Sequence, residues 1–109
     1  MKTDEVKQKL HDAISAVLPA WHVAIDGDQS PAAAYSLQEA RGVYESGELL
    51  CTTERWQLMV FQRNYDSAMI DALLESLRSA GFGVRRGRQE ASELDYVTEL
   101  TATMTYMGG

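Results

Sequence analysis

His11, His22 and Cys51 have the broadest chemical repertoire in this 109-residue chain, which holds no other histidine or cysteine. A zinc site needs three or four nitrogen or sulfur ligands, usually in closely spaced pairs, and neither histidine has a second ligand at such a spacing. Cys51 paired with either histidine would make a nucleophile and base, but no local pattern joins them. A lone cysteine in a strand reads as a small buried hydrophobe. It also allows no intramolecular disulfide and suits a reducing compartment. Asp26 and Asp28 flank Gly27 like part of a calcium loop, but Gln29, Ser30 and Pro31 follow where further oxygen ligands are needed, so a turn is expected. Glu90, Glu93 and Asp95 read as a solvated acidic turn close to arginines rather than as an acid–base or metal site. Gly81-Phe-Gly-Val-Arg-Arg-Gly has the glycines of a phosphate loop. It follows a helix instead of opening one, so no ring of free N–H groups faces a phosphate there. The chain offers no expected catalytic, cofactor-binding or metal-binding set.

Two groups remain that suit contact rather than catalysis. Arg85, Arg86 and Arg88 fall in a short basic strand, where alternation puts Arg86 and Arg88 on one side and Arg85 on the other. Without interleaved aromatic residues they fit an edge guarded against aggregation, or a protein interface, better than nucleic acid. Met59 and Phe61 share the second face of a strand whose first face is apolar, and large apolar groups left on a sheet face mark an interface.

The elements that must position these residues centre on Glu54-Arg-Trp-Gln-Leu-Met-Val-Phe-Gln-Arg63. Trp56, Leu58 and Val60 point to one side and Arg55, Gln57, Met59, Phe61 and Arg63 to the other, the alternation of a half-buried strand. Ahead of it, Val6, Leu10, Ala13, Ile14 and Val17 form the stripe of a helix with Thr3 as its expected cap, ending near Leu18 before Pro19. A short strand over 21–25, a turn at Gly27, and a proline-led strand over 32–39 follow. Residues 40–47, with Gly42 and Gly47, read as a hairpin connection. Residues 49–62 read as one long, bent strand, whose hairpin would project beyond the core.

Beyond Asn64-Tyr65-Asp66, Asp66 or Ser67 caps a second helix with Ile70, Leu73, Leu74 and Leu77 inward, stopped by Gly81 in a left-handed cap with Phe82 folding back. A basic strand over 83–88, a turn over 89–92 and a strand over 94–106 complete the chain. In the last strand Leu94, Tyr96, Leu100, Ala102, Met104 and Tyr106 alternate with polar residues, and Gly108 and Gly109 are expected as a frayed end. The order α-β-β-β-α-β-β predicts a single α+β domain over 1–109: a mainly antiparallel sheet of four to five strands with both helices on one face.

The net charge of −6 disfavours broad binding to nucleic acid or anionic membranes. No apolar run approaches the ~18–20 residues that span a bilayer, and the N-terminus carries no signal-peptide pattern.

This order, with Pro31-Ala-Ala-Ala-Tyr35-Ser-Leu37, Arg55-Trp-Gln-Leu58-Met-Val60-Phe-Gln62, the break Arg63-Asn-Tyr-Asp66, Ala80-Gly81-Phe82 and Glu93-Leu-Asp-Tyr96-Val97, resembles the tail-completion proteins of long-tailed phages, also called tail terminator or tail-to-head joining proteins. The resemblance covers nearly the entire chain. The alanines at 32–34 and the basic strand at 83–88 depart from the family's usual pattern. It implies a structural virion protein and no enzyme: a homo-oligomeric ring, typically a hexamer, made in the host cytoplasm and sited in the virion at the head–tail junction. Its implied partners are copies of itself, the tail-tube protein and the head connector protein, with no membrane and no sequence-specific nucleic acid, while DNA passes through the ring. The other reading of the same features is a small dimeric protein-binding or regulatory module.

Overall fold

The computed structural model describes residues 2–25, 30–91 and 95–107. The order is α1 (Thr3–Ser15), β1 (Ala20–His22), β2 (Ala32–Glu45), β3 (Glu48–Gln62), α2 (Ser67–Ser79), β4 (Gly83–Ala91) and β5 (Tyr96–Met107). The strands form one sheet in the order β1-β2-β3-β5-β4. The fold is the expected α+β arrangement in the expected sequence of elements, with five strands. The sheet is mixed, because β1 runs parallel to β2 while every other pair is antiparallel.

The core follows the alternation. Trp56, Leu58 and Val60 of β3 and Leu100, Ala102, Met104 and Tyr106 of β5 are buried on the face that carries both helices. Val6, Leu10 and Ile14 of α1 and Ile70, Leu73, Leu74 and Leu77 of α2 close over them. The Ser76 hydroxyl donates to the Ala13 carbonyl at 2.7 Å, tying the helices together.

Several boundaries differ from expectation for local reasons. α1 stops at Ser15, and its cap position is Lys2, which makes no side-chain cap bond; the Thr3 hydroxyl turns elsewhere. β1 ends at His22 because Val23 takes a left-handed φ of 73° and leaves the sheet. Asp66 caps α2 as expected, its carboxylate accepting from the Ala68 and Met69 amides at 3.0 and 3.3 Å. Gly81 ends the helix at φ 98°, and Phe82 packs back into the core. Asp66→Ala is expected to cost about 1 kcal/mol of stability in urea unfolding, the usual worth of an N-cap carboxylate. The extended conformation continues past Arg88 to Ala91, over part of the expected turn. The expected turn at Gly27 and the ends at Leu94, Gly108 and Gly109 lie outside the described residues.

The largest difference is at 40–47. This segment is not a connection: β2 continues through it to Glu45, and only Ser46 and Gly47 turn. Both have positive φ, 51° and 81°, as a type I′ two-residue hairpin requires; its twist matches that of the strands it joins. The paired strands run 14 and 15 residues, and the molecule measures 53 × 22 × 22 Å. The distal half of this hairpin, the arm, carries Val43, Tyr44 and Leu50 on exposed surface.

Candidate interaction surfaces

The structure does not gather the groups that could do chemistry. His11 and His22 both approach Tyr35: Nδ1 of His11 lies 2.8 Å from its hydroxyl, and the His22 ring stands 5.4 Å from its ring. Burial, then the charge of Asp12, holds the Tyr35 phenol above its ordinary pKa. Cys51 sits on the arm between Val43 and Met107. It is seven residues along β3 from Leu58, the cross-strand partner of Tyr35, or about 24 Å of strand. It is only half-buried and so is no core residue. Among the described residues no three of His, Cys, Asp or Glu stand together as a metal site. Asp26, Asp28 and Glu93 lie outside those residues. Glu90 lies 3.4 Å from Arg88, the kind of pairing expected for an acidic stretch beside arginines. From Gly83 onward the glycine-rich segment is the edge strand β4.

What the fold presents instead is surface. Met59 and Phe61 lie on the face of β3 away from the helices, and both are half-buried. Phe61 stands between Ala32 and Val97, and Met59 between Ala34 and Glu99. Met59, Val97, Glu99, Arg88 and Glu90 line a shallow groove across that face. Beside it, the Gln57 amide donates to the Glu99 carboxylate. The patch is thus an apolar strip rimmed by charge.

The three arginines divide differently from the simple alternation. Arg86 is level with Leu100, on the helix side, and its guanidinium meets Asp71 of α2 at 2.6 Å. Between Arg86 and Gln89 the register slips, so Gly87 and Arg88 together face Glu99. This bulge turns Arg88 to the open face, where it joins the groove beside Met59. Arg86 and Arg88 therefore do not share a side. Arg85, level with Thr101, belongs to the open face and has no ion-pair partner among the described residues. Gly87 fits the bulge because a Cβ there would come within 3.2 Å of the Glu99 carbonyl oxygen.

Two backbone edges complete the surface. Among the described residues, β4 has no neighbouring strand on its outer side. On the opposite side of the sheet, β1 covers β2 only at Ala33, Ala34 and Tyr35. Among the described residues, the outer edge of 36–45 is unpaired.

One buried group went unrecognised in the sequence. Glu54 is wholly buried at the root of the arm. Its carboxylate accepts from Thr3 Oγ1 at 2.9 Å, Trp56 Nε1 at 3.0 Å and Tyr106 Oη at 2.5 Å. The signal was present: Glu54 has the same parity as Trp56, Leu58 and Val60, so the alternation that buries them buries it too. The bond to Glu54, and then burial, raises the Tyr106 phenol above its ordinary pKa. One carboxylate thus fastens the start of α1 to β3 and β5 where the arm leaves the core.

Comparison of this chain with protein-family models and with curated proteins found no match.

Proposed function

We propose that this chain is a structural assembly protein that closes into a ring on the end of a phage tail tube and joins it to the head connector, as the tail-completion proteins it resembles do. The observation that carries the reading is the arm. Strands of 14 and 15 residues far exceed what the core needs, and their distal half holds Tyr44 and Val43 at 66% and 45% exposure. A monomer gains nothing from an apolar arm held in water, whereas a subunit that reaches across a neighbour buries it. The ring lies in the virion at the head–tail junction, and its acidic balance lets DNA pass without adhering.

Sedimentation velocity over a wide concentration range, alone and with tail-tube protein added, tests this. A species near six subunits with no dimer plateau is expected. A dimer that never grows indicates instead a two-fold binding module, and a monomer under every condition overturns the ring. Replacing Met59 and Phe61 together by serine and glutamine is expected to weaken assembly about tenfold or more while lowering the urea midpoint of the monomer only modestly, since both side chains are half-buried. Unchanged assembly in that variant removes the patch from the interface.

A further inference from the structure

We infer that successive subunits join by strand pairing, the outer edge of the arm of one copy lying along the outer edge of β4 of the next. This rests on the self-assembling reading above and names its contact.

Three observations converge on it. The two unpaired edges are close in length: β4 has nine residues, and the stretch of β2 that β1 leaves uncovered, 36–45, has ten. Each is about 30 Å long, enough for main-chain hydrogen bonds along the regular stretches that flank the bulge of β4 and the irregularities of β2 at 37–39 and 43–44.

Their charges are opposite. β4 carries Arg85, Arg86 and Arg88 against one acid, Glu90, whereas the edge of β2 carries Glu39 and Glu45 against one base, Arg41, with Glu48 of β3 standing opposite Glu45 at the tip. Arg85, Glu45 and Glu48 have no ion-pair partner among the described residues, and Arg88 has only an exposed contact with Glu90 at 3.4 Å.

The tip is also incomplete in isolation. Glu45 and Glu48 are direct cross-strand partners, and like charges placed opposite each other destabilise a hairpin. A cationic strand laid against them removes that repulsion.

The same charges select the geometry. Pairing β4 with a second β4 sets arginines against arginines, and pairing two arms sets glutamates against glutamates. Each edge is thereby guarded against its own copy but open to the other. Only the unlike pairing is complementary. It uses two different surfaces of each subunit, the heterologous contact from which rings are built.

Charge reversal on each edge separately tests the inference. Arg85→Glu with Arg88→Glu makes β4 acidic, and Glu45→Arg with Glu48→Arg makes the arm tip basic. None of the four residues lies in the core, so circular dichroism and thermal melting of both variants should match the parent. Each variant alone is expected to lose the parent oligomer, its association weakened about tenfold or more. An equimolar mixture should regain it, because the acidic β4 of one then meets the basic arm of the other. Added salt should weaken the parent oligomer as well. Parent-like assembly of either variant alone, or loss of assembly that mixing does not restore, overturns the edge pairing and leaves self-assembly standing. A parent protein that stays monomeric alone and with tail-tube protein overturns self-assembly, and this contact with it.

Discussion

Glu54→Ala is expected to destabilise the fold by about 3–5 kcal/mol, enough to leave little native protein in a domain of this size. The carboxylate is the acceptor for the exposed Thr3 hydroxyl and for two buried donors, the Trp56 indole N–H and the Tyr106 phenol. Truncation strands the buried Trp56 N–H, takes from the Tyr106 phenol its carboxylate partner, and opens a cavity at the root of the arm. An unsatisfied buried donor costs about 1–3 kcal/mol, so the sum outweighs the gain from no longer burying a carboxyl group. Glu54→Gln keeps the shape and one acceptor, and the two hydroxyls can turn to accept from its amide, so about half the loss is expected. Urea unfolding of the three proteins checks the order Glu, Gln, Ala. A Gln variant as unstable as Ala would mean that the full set of accepted bonds matters more than shape.

The same network sets an alkaline limit. The folded-state pKa of Tyr106 is raised above the ordinary value of 10.0, first by its bond to Glu54 and then by burial. Its contribution is therefore complete below pH 10 and is lost as pH rises through the folded-state pKa, where the phenolate would face the Glu54 carboxylate. Stability should decline above pH 10, and Tyr106→Phe should flatten that decline. A residual slope is expected from Tyr35, whose phenol is also shifted upward.

Shortening the arm should have the opposite profile, sparing the fold and removing assembly. Val43–Cys51 can be replaced by Asn-Gly, which closes Gly42 onto its partner Thr52 in a two-residue turn. The excised segment holds Tyr44, Val43 and Leu50, all exposed, and no member of the core. The change in unfolding free energy should stay within about 1 kcal/mol. Association should fall more than about 30-fold, the effect of losing one aromatic anchor worth ~2 kcal/mol. The shortened protein keeps Thr3, Glu54, Trp56 and Tyr106, so its melt also shows whether the arm's root stands without the arm. Parent-like association after shortening would contradict both the ring and the strand contact.

These two variants separate features that the chain displays very unequally. Burial of Trp56, Leu58 and Val60, the cap at Asp66 and the left-handed stop at Gly81 were all legible in short windows. Each depends on a residue's own geometry or on neighbours a few positions away. Periodicity and capping are local, and here nothing distant opposes them.

Elsewhere distant partners decide. Ala20–His22 could extend an antiparallel sheet or lie parallel to β2, and three residues do not distinguish these. Residues 40–45, where Gly42 and its polar neighbours suggested a connection, become strand because each faces a partner in β3; Val43 and Tyr44 suit that strand, and the cross-strand ladder carries it past Gly42. Alternation assigned Arg86 and Arg88 to one side, and one extra residue in the ladder against β5 separates them. Glu54 is inward by parity, but the hydroxyls that satisfy it come from Thr3 and Tyr106, 51 and 52 positions away. Side-chain periodicity assigns a residue to a face, whereas register, bulges and hydrogen-bond partners are set by strands and helices that meet only when the whole sheet has formed.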